Sequence, residues 1–207
     1  MAMLLYADSR FTSPYAMSVF VALTEKQLPF EIRTLDLEAG ANNNPEYART
    51  SLTQRVPTLI DGGFALSKSS AIAEYLDEAF PHPPIFPVDL QKRARARQVQ
   101  AWLRSDFMPI RLERPTPTIF YQPISKPLSP AAQLSSQKLC VAASELLSHG
   151  SENLFGDWSI ADVDLTLMLN RLIMNGDQVP LHLVRYARAQ WERPSVQRWV
   201  RRERPPL

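Results

Sequence analysis

Three short stretches of the chain carry residues whose types and spacing could do chemistry. In "RFTSPYAM", Ser13 stands directly before Pro14, a few residues after an apolar run. Proline suits the first helical position, because the N–H it lacks would have been an orphan there. A hydroxyl in front of it caps the helix through its oxygen. The same place offers free N–H groups and the positive end of a helix dipole, where a thiolate or a phosphate would be stabilised. On the residues alone capping accounts for Ser13, and the ligand reading needs an anion to arrive. In "RVPTLID", Val56-Pro57 follows Arg55 and opens a strand. Proline has no ladder donor, so Pro57 suits the first residue of an edge strand. In "LSKSSAI", hydroxyls surround Lys68 at another helix start, where Ser67 or Ser69 could serve as a cap.

Other chemistries have less support. A single cysteine, Cys140, excludes an intrachain disulfide and a thiolate metal cluster. His82, His149 and His182 are scattered, and no spacing among them supports metal binding or a histidine-dependent triad, so no metal is expected. The formal net charge is +2. Arginines cluster in "KRARAR" (92–97) and "RWVRRER" (198–204), which read as solvated helix faces rather than a nucleic-acid surface, since no recognition motif accompanies them. Hydrophobic residues at 45% and charged residues at 21% fit an ordinary globular chain. No apolar run is long enough for a membrane span and "MAMLLYADSR" lacks a signal-peptide pattern, so a cytoplasmic location is expected.

The elements that must position these residues follow from periodicity. "MLLYA" (3–7) reads as a buried strand, and Ala16, Val19, Phe20 and Leu23 then repeat at helical spacing. "LPFEIRTLDL" (28–37) reads as a strand and "NNNPEY" as a turn opening a helix. "VPTLIDGGFAL" (56–66) predicts a hairpin about Gly62 and Gly63, and Ile72, Tyr75, Leu76 and Ala79 a further helix. Four prolines in "FPHPPIFPVD" (80–89) mark a stiff connector. Beyond it every pattern is helical. A long helix is predicted from about 90 to 110, with Val99, Trp102, Leu103, Phe107 and Ile110 on one side, then helices at 130–148, from 159, at 180–191 and at 194–202. The proline-rich stretch 114–130 is expected to be a long non-helical loop. In "GDWSIADVDLTLMLNRLI", Ser159 and Asp162 have the spacing of a capping box, Trp158 and Val163 that of a hydrophobic staple, and the helix is apolar on most of its circumference. Both polar residues are therefore read as structural.

Order and spacing of these features together resemble the glutathione S-transferase superfamily over essentially the whole chain. "SPYAMSVFVALTEKQLPFE" resembles its first helix and following strand, "RVPTLIDGGFALSKSSAIAEYLDE" its glutathione-binding centre, and "NLFGDWSIADVDL" its capping-box helix. "RARARQVQAWLRSDFMPIRLERPT" further looks like a bacterial serine-type subgroup. The resemblance implies a fold of α/β plus all-α class: a thioredoxin-like domain at 1–82, a linker at 83–89 and an all-helical domain at 90–207 carrying much of the electrophile site. It implies glutathione as co-substrate, no metal, and a homodimer without nucleic-acid or membrane partners.

Residue by residue, the resemblance makes Ser13 the catalytic serine, its hydroxyl hydrogen-bonded to the glutathione sulfur as an electrostatic stabiliser rather than a nucleophile. A thiol near pKa 8.5 ionises more readily when its anion is hydrogen-bonded. Pro57 matches a cis proline that turns Val56 toward the ligand, where its N–H and C=O would add the cysteinyl part as a short strand. Ser69 matches the serine that holds the γ-glutamyl carboxylate, and Arg55 lies near the glycyl end. Lys68 departs from the usual Glu or Gln: an acidic partner for the γ-glutamyl ammonium is lost, while backbone contacts survive and a cation stands near the ligand's carboxylate. The implied function is glutathione transfer to an electrophile or hydroperoxide, in detoxification or oxidative stress. The helix around Trp102–Arg111, Phe11 and the proline-rich loop would supply the apolar wall. The alternatives are a non-catalytic stress-response binding module of the same fold, and a thiol transferase, which usually carries Cys where Ser13 stands.

Overall fold

The computed structural model describes residues 2–147 and 150–207. His149, and the expected helix end at Ser148, lie outside the described residues. The chain divides into two compact units, Met1–Ile85 with Ser195–Leu207, and Phe86–Pro194.

The first unit begins with strand β1 (Met3–Asp8), helix α1 (Pro14–Glu25) and strand β2 (Phe30–Leu35). A short 3-10 turn (Ala41–Asn43), helix α2 (Pro45–Thr50), strands β3 (Thr58–Asp61) and β4 (Phe64–Ser67) and helix α3 (Ser69–Ala79) follow. The strand order is β2-β1-β3-β4, with β1 parallel to β2 and antiparallel to β3, and β3 antiparallel to β4. The apolar run of β1 is continuous because the strand is central; Leu5 and Ala7 are fully buried. β2 lies at the sheet's edge and buries none of its residues to the same degree. α1 buries every residue from Ala16 to Leu23. The hairpin between β3 and β4 turns on two residues, and Gly62 at φ 59 supplies the left-handed angle. β3 is internal, so Pro57 does not start an edge strand as expected from its missing donor. It stands one residue ahead of the ladder, where no N–H is required.

Lys26 fastens the end of this unit. Its ammonium is 3.0 Å from the Asp77 carboxylate and donates to the carbonyls of Phe80 (2.6 Å) and Pro83 (2.9 Å). Asp77 also accepts from the Ile85 N–H at 2.8 Å. Two side chains buried to within 3% thus hold the proline-rich connector against the helices that precede it.

The second unit comprises helices α4 (Leu90–Ser105), α5 (Met108–Glu113), α6 (Pro117–Phe120), α7 (Pro130–Leu146), α8 (Ile160–Ile173) and α9 (Leu181–Trp191). The single helix expected over 90–110 is two. Pro109 cannot donate to the carbonyl of Ser105 and its ring would clash there, so α4 stops and α5 restarts with the proline in its first turn. The stretch 114–130 is also not wholly loop: Pro117 opens the one-turn α6, where a first-position proline costs nothing. The rest is tied down by buried polar groups. Arg114 pairs with Asp177 through Nε (2.7 Å) and Nη2 (2.8 Å), and donates to the Lys126 carbonyl at 2.8 Å. α8 is the central helix of this unit, buried along nearly its whole length as its circumference predicted. Its capping box is present. Asp162 accepts from the Ser159 N–H (2.9 Å) and hydroxyl (3.0 Å), the Leu154 N–H (2.8 Å) and the Tyr186 hydroxyl (2.8 Å), while burial pushes its carboxyl above the ordinary range.

The last helix, α10 (Pro194–Val200), packs with the first unit. Trp199 decides this. Its fully buried ring lies 5.4 Å from Phe11 and 5.3 Å from Phe20, and the Ser195 hydroxyl bonds the Glu25 carboxylate. An aromatic side chain of that size is worth burying wherever a matching surface exists, irrespective of its neighbours in sequence. Among the described residues, no helix is long and apolar enough to cross a membrane.

Candidate active site

Strand register brings the three candidate stretches to one end of the sheet. β1 runs toward Asp8, Tyr6 is paired with Thr58 at the start of β3, and Thr58 is paired with Ser67 at the end of β4. The exit from β1 into α1, the entry into β3, and the exit from β4 into α3 therefore share an edge. Ser13, Val56-Pro57 and Ser69 all lie within those three segments.

Ser13 caps α1: its Oγ accepts the Ala16 N–H at 3.2 Å. Capping uses one lone pair of the hydroxyl, which has two, and its O–H proton is still there to be given to an anion. The two readings of this serine are thus compatible. Ser13 is itself held from behind by Asp8, a buried carboxylate at the end of β1. Its Oδ1 accepts the Ser13 N–H at 2.9 Å; its Oδ2 accepts the Thr12 N–H at 2.7 Å and the Thr12 hydroxyl at 3.0 Å. Sequence reasoning missed Asp8. An acid closing a strand, with two hydroxyl residues four and five positions on, was the available signal, since Asp side chains bind the N–H groups of nearby turns.

The Val56-Pro57 peptide is cis, Val56 is half-buried and Arg55 is exposed. The backbone here is fixed by hydroxyls: Tyr47 donates to the Arg55 carbonyl at 2.9 Å and lies 2.9 Å from Thr58 Oγ1, which donates to Ser51 at 2.8 Å. Burial pushes the Tyr47 phenol up, keeping it a neutral donor.

At α3 neither Ser67 nor Ser69 is the cap. Lys68 occupies that position, with φ 76 and no side-chain bond to the helix, and Ser69 is the first helical residue, buried to 4%. The Ser67 hydroxyl is engaged instead by Thr53 at 3.0 Å. Lys68 is exposed, so its cation reaches water as well as the helix start.

Backbone strain points to the same edge. Among the described residues, four non-glycine positions have positive φ, and three of them lie beside the candidate stretches: Phe11 (49) two residues before Ser13, Gln54 (50) directly before Arg55-Val56, and Lys68 (76) directly before Ser69. Such conformations cost of order 1–3 kcal/mol and gather where ligands are clamped. Elsewhere the chemistry is poorer. Cys140 lies on α7 in the second unit, and burial pushes its thiol up, away from the thiolate that redox exchange needs. Among the described residues, no group of three or more His, Cys, Asp or Glu is placed to hold a metal ion.

The family described as glutathione S-transferase, C-terminal domain, matches residues 89–203, and its N-terminal domain counterpart matches residues 9–84. Glutathione S-transferase 1 of Dianthus caryophyllus is 38% identical over 98 residues, which are 47% of this chain and 44% of that protein. A probable maleylacetoacetate isomerase of Vibrio cholerae is 35% identical over 112 residues, 53% of this chain and 51% of that one. The chain spans about half the length of the curated relatives it matches. Among solved structures, a glutathione transferase homologue from Burkholderia gl BGR1 with bound glutathione aligns at TM-score 0.79 and 47% identity, over 97% of this chain and 96% of that one. A theta class enzyme of Xanthomonas axonopodis pv. citri, with glutathione bound, aligns at TM-score 0.78 over 98% of each chain; at 22% identity it speaks for the fold alone.

Proposed function

The chain belongs to the glutathione S-transferase family, and on that premise we propose that it binds glutathione and stabilises its thiolate by the Ser13 hydroxyl for attack on an electrophile or hydroperoxide. The observation that carries this reading is the convergence of the Ser13 helix start, the cis Val56-Pro57 peptide and the Ser69 helix start at one end of the sheet. In this reading the Val56 backbone pairs with the cysteinyl unit, Ser69 and the N-terminus of α3 hold the γ-glutamyl carboxylate beside Lys68, and Arg55 faces the glycyl end. The bound homologue from Burkholderia supports glutathione as the ligand. A cytoplasmic homodimer belongs to the same proposal. Leu52, 93% exposed, and Phe64, 49% exposed, offer apolar surface for the contact; sedimentation as a monomer at micromolar concentration would remove it.

A hydrogen bond to a charged acceptor contributes about 1.5–3 kcal/mol, and one pKa unit is about 1.4 kcal/mol. Ser13→Ala should therefore raise the pKa of the bound thiol by roughly one to two units and cut turnover at neutral pH about tenfold or more. The measurement is the pH dependence of kcat/KM with a chromogenic aryl halide. An unaltered profile in a variant that still binds glutathione ends the serine mechanism. A second reading, a non-catalytic binding module, is favoured by one residue, Lys68, which stands where an acid would meet the γ-glutamyl ammonium. Calorimetric titration separates the two: no heat with millimolar glutathione selects the module.

A further inference from the structure

We propose that the segment from Trp199 to Arg204 is a positioning clamp for the thiolate-stabilising serine, acting through the carbonyl of Phe11. The inference rests on the reading of Ser13 given above. Phe11 C=O accepts two hydrogen bonds from this segment, one from Trp199 Nε1 at 3.1 Å and one from Arg204 Nη2 at 3.3 Å. The Phe11 ring is held by the same segment: Trp199 meets it edge-on at 5.4 Å between centroids, and the Arg202 guanidinium lies over it at 4.9 Å. Arg202 also lies 5.1 Å over Phe20 on α1, and burial pulls its pKa down. Arg204 is oriented for the task by donating to the carbonyls of Val200 (2.7 Å), Trp199 (3.1 Å) and Arg202 (2.9 Å).

What the clamp holds is a backbone that would not hold itself. Phe11 sits at φ 49, where a residue with a Cβ is disfavoured, so the loop relaxes unless outside contacts fix it. Its N–H is secured from the sheet by the Asp8 carbonyl at 3.1 Å, and the residues after it by the Asp8 carboxylate, which accepts the Thr12 and Ser13 N–H groups. The Phe11–Thr12 peptide is thus gripped at both ends, its N–H by Asp8 Oδ2 and its carbonyl oxygen by the clamp. Ser13 lies two residues after Phe11, and the direction of its hydroxyl depends on both anchors. A hydrogen bond to a thiolate falls off steeply with misalignment, so a small rotation of this loop lowers thiolate stabilisation without removing the serine.

Trp199→Phe keeps an aromatic ring and deletes the N–H; Arg204→Gln, at a partly exposed position, deletes the other donor with little risk to folding. Two readouts are taken on the full chain. Amide hydrogen exchange at Thr12 and Ser13 without ligand is expected to accelerate about tenfold in the double variant and less in each single one. The pH profile of kcat/KM is expected to shift toward that of Ser13→Ala, with about three- to tenfold loss at neutral pH and little change in glutathione affinity. Unchanged exchange at Thr12 and Ser13 in either folded variant overturns the clamp, whatever Ser13 does in catalysis. Faster exchange with a stationary pH profile, where Ser13→Ala does shift it, likewise overturns the clamp's catalytic role. A profile that Ser13→Ala itself fails to move refutes the serine mechanism, and the exchange data then decide the clamp alone.

Discussion

Removing the Asp8 carboxylate tests the architecture of the site most directly. The side chain is 5% exposed and accepts three hydrogen bonds, at 2.7, 2.9 and 3.0 Å, from the loop between β1 and α1. Each bond to a charged acceptor contributes about 1.5–3 kcal/mol. They share one acceptor, and two donors belong to Thr12, which regains water when the loop opens, so simple addition overstates the loss. Roughly 3 kcal/mol is expected for Asp8→Ala. Asp8→Asn keeps one oxygen and turns the other into a donor facing a donor, so about half that loss or more should remain. Urea unfolding gives the stability change, and a transition midpoint lower by about 2–4 °C per kcal/mol should accompany it. Because the same carboxylate holds the Ser13 N–H, turnover should fall toward the level of Ser13→Ala. A loss under about 1 kcal/mol with activity intact would refute the claim that Asp8 positions the serine.

Two further outcomes follow from buried and capped charges. Lys26→Met leaves the buried Asp77 carboxylate without its cation and should cost about 3–5 kcal/mol in urea unfolding, partly recovered in Lys26→Met/Asp77→Leu; a neutral single variant would contradict the role given to this pair in holding the connector. The Ser129 hydroxyl and N–H hold the Glu113 carboxyl below its ordinary range. The stability this adds is present above the unfolded value of about 4.3 and is lost as pH falls through the lower folded value. The difference in thermal midpoint between the parent and Glu113→Gln should therefore be full at neutral pH and shrink in acid, and a difference that grew in acid would reverse the assignment.

Local chemistry was legible wherever a residue's role is settled by its near neighbours. The hairpin at Gly62-Gly63, the Ser13-Pro14 helix start and the Ser159–Asp162 capping box each depend on contacts within a few positions, and each appears as its spacing requires. The break in the helix over 90–110 was equally local: Pro109 encodes it, and the apolar side from Val99 to Ile110 masked it. Other features depend on partners far away in the chain. Pro57 precedes an internal strand because β1 and β4 both pair with β3, which the order of strands along the chain does not state. Lys68 rather than a serine occupies the start of α3, since the path from β4 dictates its φ of 76. Asp8 reads as any strand-ending acid until the loop folds back on its carboxylate. The strongest case is α10. Its own pattern marks a helix and nothing more; the buried ring of Trp199 finds Phe11 and Phe20 nearly two hundred residues earlier, and only packing in three dimensions could assign it to the unit that holds Ser13.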